Sequence, residues 1–265
     1  MYLTHFGLTR YPYESDIPAE EMYVSSAMAE LSTRLDHLVQ LHGIGLLTGN
    51  PGAGKSAACR KMAAALHTGI YKVIYVPLST ANPMDLYKTI AWELGLPTER
   101  NRAALYKRIR EEVTRLTVDA KIRTVLILDE AQNLRNDVLE ELRLLTNYAM
   151  DSENRLCLLL SGQTELRRRL GMAVHEALNQ RIVVRYHLPG LKRDELPEYL
   201  SHLTKRAGCE LPIFEPAAIE AIFQATKGLP RKIGTLAHHT LLAAALDKAK
   251  TATEEHVQRA LPEVS

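Results

Sequence analysis

Eight residues constrain this chain more than any others: Gly49-Asn50-Pro51-Gly52-Ala53-Gly54-Lys55-Ser56. They match G-x-x-x-x-G-K-[ST] at every position. Before them runs Ile44-Gly45-Leu46-Leu47-Thr48, a short apolar segment that reads as a buried strand. After them comes Ala57–His67, rich in strong helix formers. Glycines in such a loop let backbone N–H groups converge on phosphate oxygens without Cβ obstruction. The helix that opens there adds its positive end. Lys55 has the reach for β- and γ-phosphates, and the Ser56 hydroxyl is a suitable ligand for Mg²⁺. Gly49 through Ser56, with Ala57 in the first helical turn, are therefore the expected nucleotide contacts, with ATP and Mg²⁺ as cofactors.

The rest of the chain fits the same architecture. Apolar runs at 72–78, 124–129, 155–160 and 181–188 predict four more strands. Helical spacing marks 26–41, 83–94, 101–117 and 137–148, with a break at Gly95-Leu96-Pro97. Continuous apolar strands alternating with helices indicate a parallel sheet covered on both faces. Pro189-Gly190 ends the pattern, and 196–208, 216–226, 231–248 and 253–260 read as helices. The expected fold class is α/β: a P-loop core with a parallel five-stranded sheet between helices, then an all-α lid. The expected domains are 1–190, including an irregular N-terminal arm over residues 1–25, and 191–265.

Composition excludes several alternatives. Of 265 residues, 46% are hydrophobic and 24% charged, so whole-chain disorder and fibrous repeats are excluded. A net charge of +2 is too small to argue for nucleic acid by itself. Cys59, Cys157 and Cys209 lie far apart with no CxxC pair, which excludes a zinc ribbon of that type and fits a reducing compartment. No run of about 18 apolar residues occurs, and Met1–Arg10 has no signal-peptide core. A cytoplasmic location without membrane contact is expected.

Thr124-Val125-Leu126-Ile127-Leu128-Asp129-Glu130 is an apolar strand with an acidic end. A buried parallel strand delivers Asp129 to the carboxyl edge of the sheet, where it can hold Mg²⁺. Glu130 is then placed as general base for the attacking water. An isolated Asp-Glu pair would more simply be a solvated turn; behind this strand and this loop, the catalytic reading is preferred. The next strand ends in Ser161-Gly162-Gln163, where Ser161 first and Gln163 second could orient that water or touch the γ-phosphate. A plain strand-ending turn is the competing reading. Arg181, with Arg185 second, is the candidate arginine finger, against a surface arginine. Arg231, in Gly228-Leu229-Pro230-Arg231, could link the C-terminal helices to the phosphates.

In this order the motifs resemble those of AAA+ ATPases over nearly the whole chain. The opening Met1-Tyr2-Leu3-Thr4-His5-Phe6-Gly7-Leu8, with Tyr11-Pro12-Tyr13 behind it, is similar to the ExeA/TnsC-like branch. That branch includes secretion-pathway ATPases and ATPase regulators of DNA transposition. The resemblance implies ATP closed between core and lid at a subunit interface, a homo-oligomer in ring or filament form, and a finger supplied in trans. The secretion members carry a membrane segment after the lid, so the end at Ser265 favours the transposition regulators. Duplex DNA and a transposase are then the expected partners.

Basic clusters occur at Arg102, Lys107, Arg108 and Arg110, at Arg167-Arg168-Arg169, and at Lys205-Arg206. Phosphate contacts of this kind suffice for non-specific DNA binding, though solvated helix faces account for any one cluster equally well. In TnsC-like filaments, residues after the second strand line the DNA path. By that resemblance the 80–110 segment, with Lys88, Arg102 and Lys107, is the candidate DNA surface. A secretion ATPase acting on proteins, a helicase loader or replication initiator, and a small-molecule kinase remain alternatives.

Overall fold

The computed structural model describes residues 2–14, 16–77 and 82–264. Leu78 of the expected second strand, Met1 of the opening motif and Thr80-Ala81 of the 80–110 segment lie outside them. The chain divides into two compact units: Glu30–Gly49 with Lys55–Leu188, and Met1–Ala29 with Asn50–Gly54 and Pro189–Ser265.

Among the described residues, the first unit holds five strands: β1 (Ile44–Gly49), β2 (Tyr71–Val76), β3 (Arg123–Leu128), β4 (Leu156–Gly162) and β5 (Ile182–Leu188). Their order is β2-β3-β4-β1-β5, with every neighbouring pair parallel. β1 and β4 are buried throughout and β3 is buried beyond Arg123, whereas the edge strands β2 and β5 mix buried and exposed positions. This accounts for the continuous apolar runs of the central strands, since both faces of a parallel sheet are covered.

Helices α3 (Lys55–Ala65), α4 (Pro83–Glu93), α5 (Arg102–Val118), α6 (Asn136–Leu145), α7 (Thr164–Leu170) and α8 (Glu176–Gln180) accompany the sheet. Leu105, Ile109, Val113 and Leu116 recur at three- and four-residue steps and form the buried stripe of α5. Leu105, Ile109 and Val113 share a core with Leu86 and Ile90 of α4, Leu139 and Leu142 of α6, and Leu126 and Leu158 of the sheet. Burial of each such side chain stabilises the fold by about 1.5–3 kcal/mol. Asn82 caps α4 by accepting from Asp85 N–H at 3.1 Å, with Pro83 at the first helical position. Asn101 caps α5 by accepting from Ala103 N–H at 2.8 Å.

The second unit contains α1 (Tyr2–Phe6), α9 (Leu196–Arg206), α10 (Pro216–Thr226), α11 (Pro230–Leu246) and α12 (Glu254–Ala260). The helix α2 (Ser26–Leu41) begins in this unit and continues in the first. Tyr2, Phe6 and Leu8 share a buried core with Leu200, Ile222, Leu236, Leu241 and Val257. Thr9 N–H donates to Ala207 O at 2.8 Å. The sequence predicts an irregular arm belonging to the 1–190 domain; in the structure Tyr2–Phe6 is helical, and its buried side chains belong to the core of the C-terminal helices. Burial of Tyr2 and Phe6 offsets the cost of ordering a five-residue helix that would not persist alone.

Other differences are local. The helix after the Gly-rich loop starts at Lys55 rather than Ala57. β4 extends through Gly162, so Ser161 lies inside the strand. Arg181 precedes β5, as the C-terminal cap residue of α8. The short helices α7 and α8 were not anticipated, because seven- and five-residue segments carry little periodicity. Among the described residues, no helix is long and apolar enough to cross a membrane.

Candidate nucleotide site

Register brings the functional residues to one edge. Leu46 of β1 and Leu128 of β3 both pair with Leu160 of β4, so β4 stands between them in matched register. The carboxyl ends of β1, β3 and β4 then carry Gly49, Asp129 and Ser161-Gly162. Open α/β sheets bind ligands outside this edge.

The loop leaving β1 requires its glycines. Gly52 and Gly54 have φ of +79° and +102°, which residues with a Cβ rarely adopt. Lys55 is buried, and its Nζ donates to Gly49 O at 3.0 Å. Within the second unit, Arg231 N–H donates to Gly52 O at 3.2 Å, and Pro230 opens α11. The Arg231 side chain is exposed.

Asp129 is the hub of the site and is only 4% exposed. Its Oδ2 accepts from Ser56 Oγ at 2.6 Å and from Tyr75 Oη at 3.0 Å. Its Oδ1 accepts from Ser161 Oγ at 2.8 Å and from Glu130 N–H at 3.0 Å. A buried carboxylate is tolerated when it accepts several such bonds. Burial, then the charge of Asp129 and the hydrogen bond to it, push the Tyr75 phenol upward. Cys59 is nearly fully buried; burial first and Asp129 second push its thiol up to about 12. It is therefore not a nucleophile at neutral pH.

Glu130 sits in the left-handed region, at φ 53° and ψ 34°. Its Oε2 accepts from Gln132 Nε2 at 2.6 Å, and Gln132 Oε1 accepts from Gln163 N–H at 3.0 Å. Gln163 thus enters the site through its backbone, at the N-terminal cap position of α7. The donor set fits Mg²⁺: the hydroxyl of Ser56 and the carboxylate of Asp129 are hard oxygen ligands already 2.6 Å apart.

The other candidates lie elsewhere. Arg181 is paired within its own chain with Asp151, and its Nη1 donates to Arg143 O at 3.0 Å. Arg185 is exposed on β5 and donates to Asn179 O at 2.5 Å. Lys88 is half-buried on α4. Arg102 pairs with Glu141 at 2.8 Å and Lys107 with Glu111 at 3.7 Å. Arg169, read in the sequence as part of a basic run, turns inward and donates to Gln132 O at 2.5 Å and Leu134 O at 2.6 Å.

Sequence reasoning missed Tyr75 and Gln132. Tyr75 was one more residue of an apolar strand; its signal was a phenol near the carboxyl end of the strand beside Asp129. Gln132 lies two residues beyond Glu130, close enough in sequence to be suspected as its partner.

Comparison with known proteins agrees with this geometry. The AAA domain family matches residues 38–170. General secretion pathway protein A of Aeromonas hydrophila is 33% identical over 92% of this chain and 45% of its own length. ATP-dependent target DNA activator B of Escherichia phage Mu is 26% identical over 52% of this chain and 42% of its own. The chain thus spans less than half the length of these relatives. Cdc6p from Pyrobaculum aerophilum superposes with a TM-score of 0.74 at 19% identity, covering 96% of this chain and 70% of that one. The Aeropyrum pernix ORC1 protein, solved in complex with DNA, gives 0.69 at 20% identity, covering 97% and 69%. Both structural likenesses establish the fold.

Proposed function

The chain belongs to the AAA domain family and is an AAA+ ATPase, and from that premise we propose that its ATP-bound form assembles on duplex DNA and regulates transposition. In this reading the homo-oligomer has little sequence preference, selects a target and recruits a transposase, and hydrolysis takes it apart. The observation that carries the ATPase chemistry is the convergence of Ser56, Tyr75, Ser161 and Glu130 N–H on Asp129. The DNA-directed part is supported by similarity to the phage Mu activator, whose name describes an ATP-dependent action on target DNA.

Gly49–Ser56 and Ala57 would surround the phosphates of ATP, with the Lys55 ammonium balancing their charge. Ser56 and Asp129 would hold Mg²⁺, which when bound neutralises charge on the β- and γ-phosphates. Tyr75 and Ser161 keep the Asp129 carboxylate oriented. Glu130 accepts a proton from the attacking water. Arg181 would leave Asp151 to serve a neighbouring subunit, and Arg231 would answer to the nucleotide from the helical unit. Lys88, Arg102 and Lys107 are the proposed DNA contacts; Arg102 and Lys107 would exchange their carboxylate partners for backbone phosphates.

The test is the affinity of this chain for labelled duplex DNA at low salt, with ATP, with ADP and without nucleotide. Tight binding with ATP alone, falling steeply with salt, is expected; replacing Arg102 or Lys107 by Ala should reduce the log–log salt slope by about one each. ATP-loaded protein without affinity for DNA would overturn the reading. A second reading, an ATPase of secretion acting on protein partners, is favoured by the 33% identity to General secretion pathway protein A. It predicts hydrolysis indifferent to DNA.

A further inference from the structure

Gln132 belongs to none of the motifs above, yet it is the residue that holds Glu130. Its side chain is buried, at 8% exposure. The N–H of Gln163 donates to Gln132 Oε1 at 3.0 Å, which decides how the carboxamide faces, since an N–H cannot donate to an amide NH₂. Nε2 is thereby turned to Glu130 Oε2, 2.6 Å away. The backbone of Gln132 is pinned as well, because Arg169 Nη1 donates to its carbonyl at 2.5 Å. Gly162 closes the other side. A Cβ there would come within 2.7 Å of Gln132 Oε1 and 3.2 Å of Gln132 N. The end of β4 therefore secures both acids: Ser161 directly on Asp129, and Gln163 on Glu130 through Gln132.

We propose that Gln132 is a positioning residue for hydrolysis, its carboxamide engaging one oxygen of the Glu130 carboxylate and leaving the other for the attacking water. This rests on the reading of Glu130 as general base and adds a residue to it. The Glu130 backbone alone gives poor control, since its left-handed conformation fixes the start of the side chain and not its end. A bond at the carboxylate supplies the missing constraint, and displacement of a reacting group by about 1 Å can cost on the order of a hundredfold in rate.

Two substitutions separate positioning from plain support of the loop. Gln132→Glu keeps an acceptor for Gln163 N–H and removes the donor to Glu130. Gln132→Leu removes both. Steady-state hydrolysis, nucleotide affinity and thermal unfolding are measured on the full chain beside wild type and Glu130→Gln. The expected result for both Gln132 variants is a kcat lower by roughly tenfold to a hundredfold, with KM and nucleotide affinity within about twofold of wild type. Gln132→Glu also sets a second carboxylate against Glu130 at a buried position, so its unfolding temperature should fall at neutral pH while nucleotide affinity is kept. Gly162→Ala, which pushes on Gln132 from β4, should lower kcat in the same way. Wild-type kcat in Gln132→Glu, or a loss of nucleotide affinity matching the loss of rate, would overturn the proposal while the role of Glu130 stands. Wild-type hydrolysis in Glu130→Gln would overturn the general-base reading and this inference together.

Discussion

The Ser161 hydroxyl donates to Asp129 Oδ1 at 2.8 Å, from one strand to its neighbour and fully buried at the Ser161 end. This bond anchors one oxygen of the acid while Ser56 and Tyr75 engage the other. Ser161→Ala would leave Glu130 N–H as the remaining Oδ1 donor among the described residues. The loss of a hydrogen bond to a buried charge costs about 1.5–3 kcal/mol. If even part of that cost falls on metal binding, hydrolysis should need several-fold to about tenfold more Mg²⁺ for half-maximal rate, read by titrating the metal at saturating ATP. An unchanged Mg²⁺ requirement would show that Asp129 keeps its position without Ser161.

Lys55 and Glu130 should fail in different ways. Lys55→Ala removes the cation proposed to balance the phosphates, so a fluorescent ATP analogue should no longer bind tightly. Glu130→Gln keeps the size of the side chain and loses its basicity. It should bind the analogue normally while hydrolysis falls by roughly a hundredfold or more. Equal loss of binding in both variants would contradict this division of roles.

Burial makes a prediction about the thiols. Cys59 and Cys157 are both pushed up to about 12 by burial, so they stay protonated throughout the neutral range and up to about pH 10. Cys209 is the more accessible of the three. Alkylation of the native protein at pH 8, followed by mass spectrometry, should modify Cys209 first and spare Cys59 and Cys157. Denaturation should expose all three. Rapid native modification of Cys59 would mean that the loop-bearing helix α3 opens readily.

The Arg181 guanidinium lies against Asp151 and Arg143 O in its own chain. As a finger acting in trans it must exchange these partners. Arg181→Ala should abolish hydrolysis while ATP stays bound, at a loss of about a thousandfold or more. Mixing with Lys55→Ala subunits, which keep the finger, should restore part of the rate. No recovery at any mixing ratio would place the role of Arg181 within its own subunit.

The parts legible in the sequence were those encoded by local pattern. Gly49–Ser56 declares its loop through glycine spacing, and Thr124–Leu128 declares a buried strand that ends at Asp129. Boundaries of α2 and α10 were read to the residue, because Leu31, Leu35 and Leu38 in one, and Pro216 with Ala218 and Ile222 in the other, carry clear helical signals. The illegible parts depend on which strands become neighbours. Tyr75 meets Asp129 only because β2 lies beside β3, with Val76 opposite Leu128. Gln132 meets Gln163 only because β4 follows β3 in the sheet. Arg169 looked like a solvated charge until α7 packed against the turn after Glu130, where unpaired carbonyls draw a guanidinium inward. The arm at Tyr2 and Phe6 has no periodicity, and its partners in α11 lie more than two hundred residues away.

Sedimentation with duplex DNA tests the central claim most directly, run in ATP, in ADP and in a non-hydrolysable ATP analogue. Large DNA-bound assemblies with ATP and the analogue, absent with ADP, are the predicted result. Assembly that is the same with and without DNA, or DNA binding that is the same in ADP as in ATP, would contradict the account.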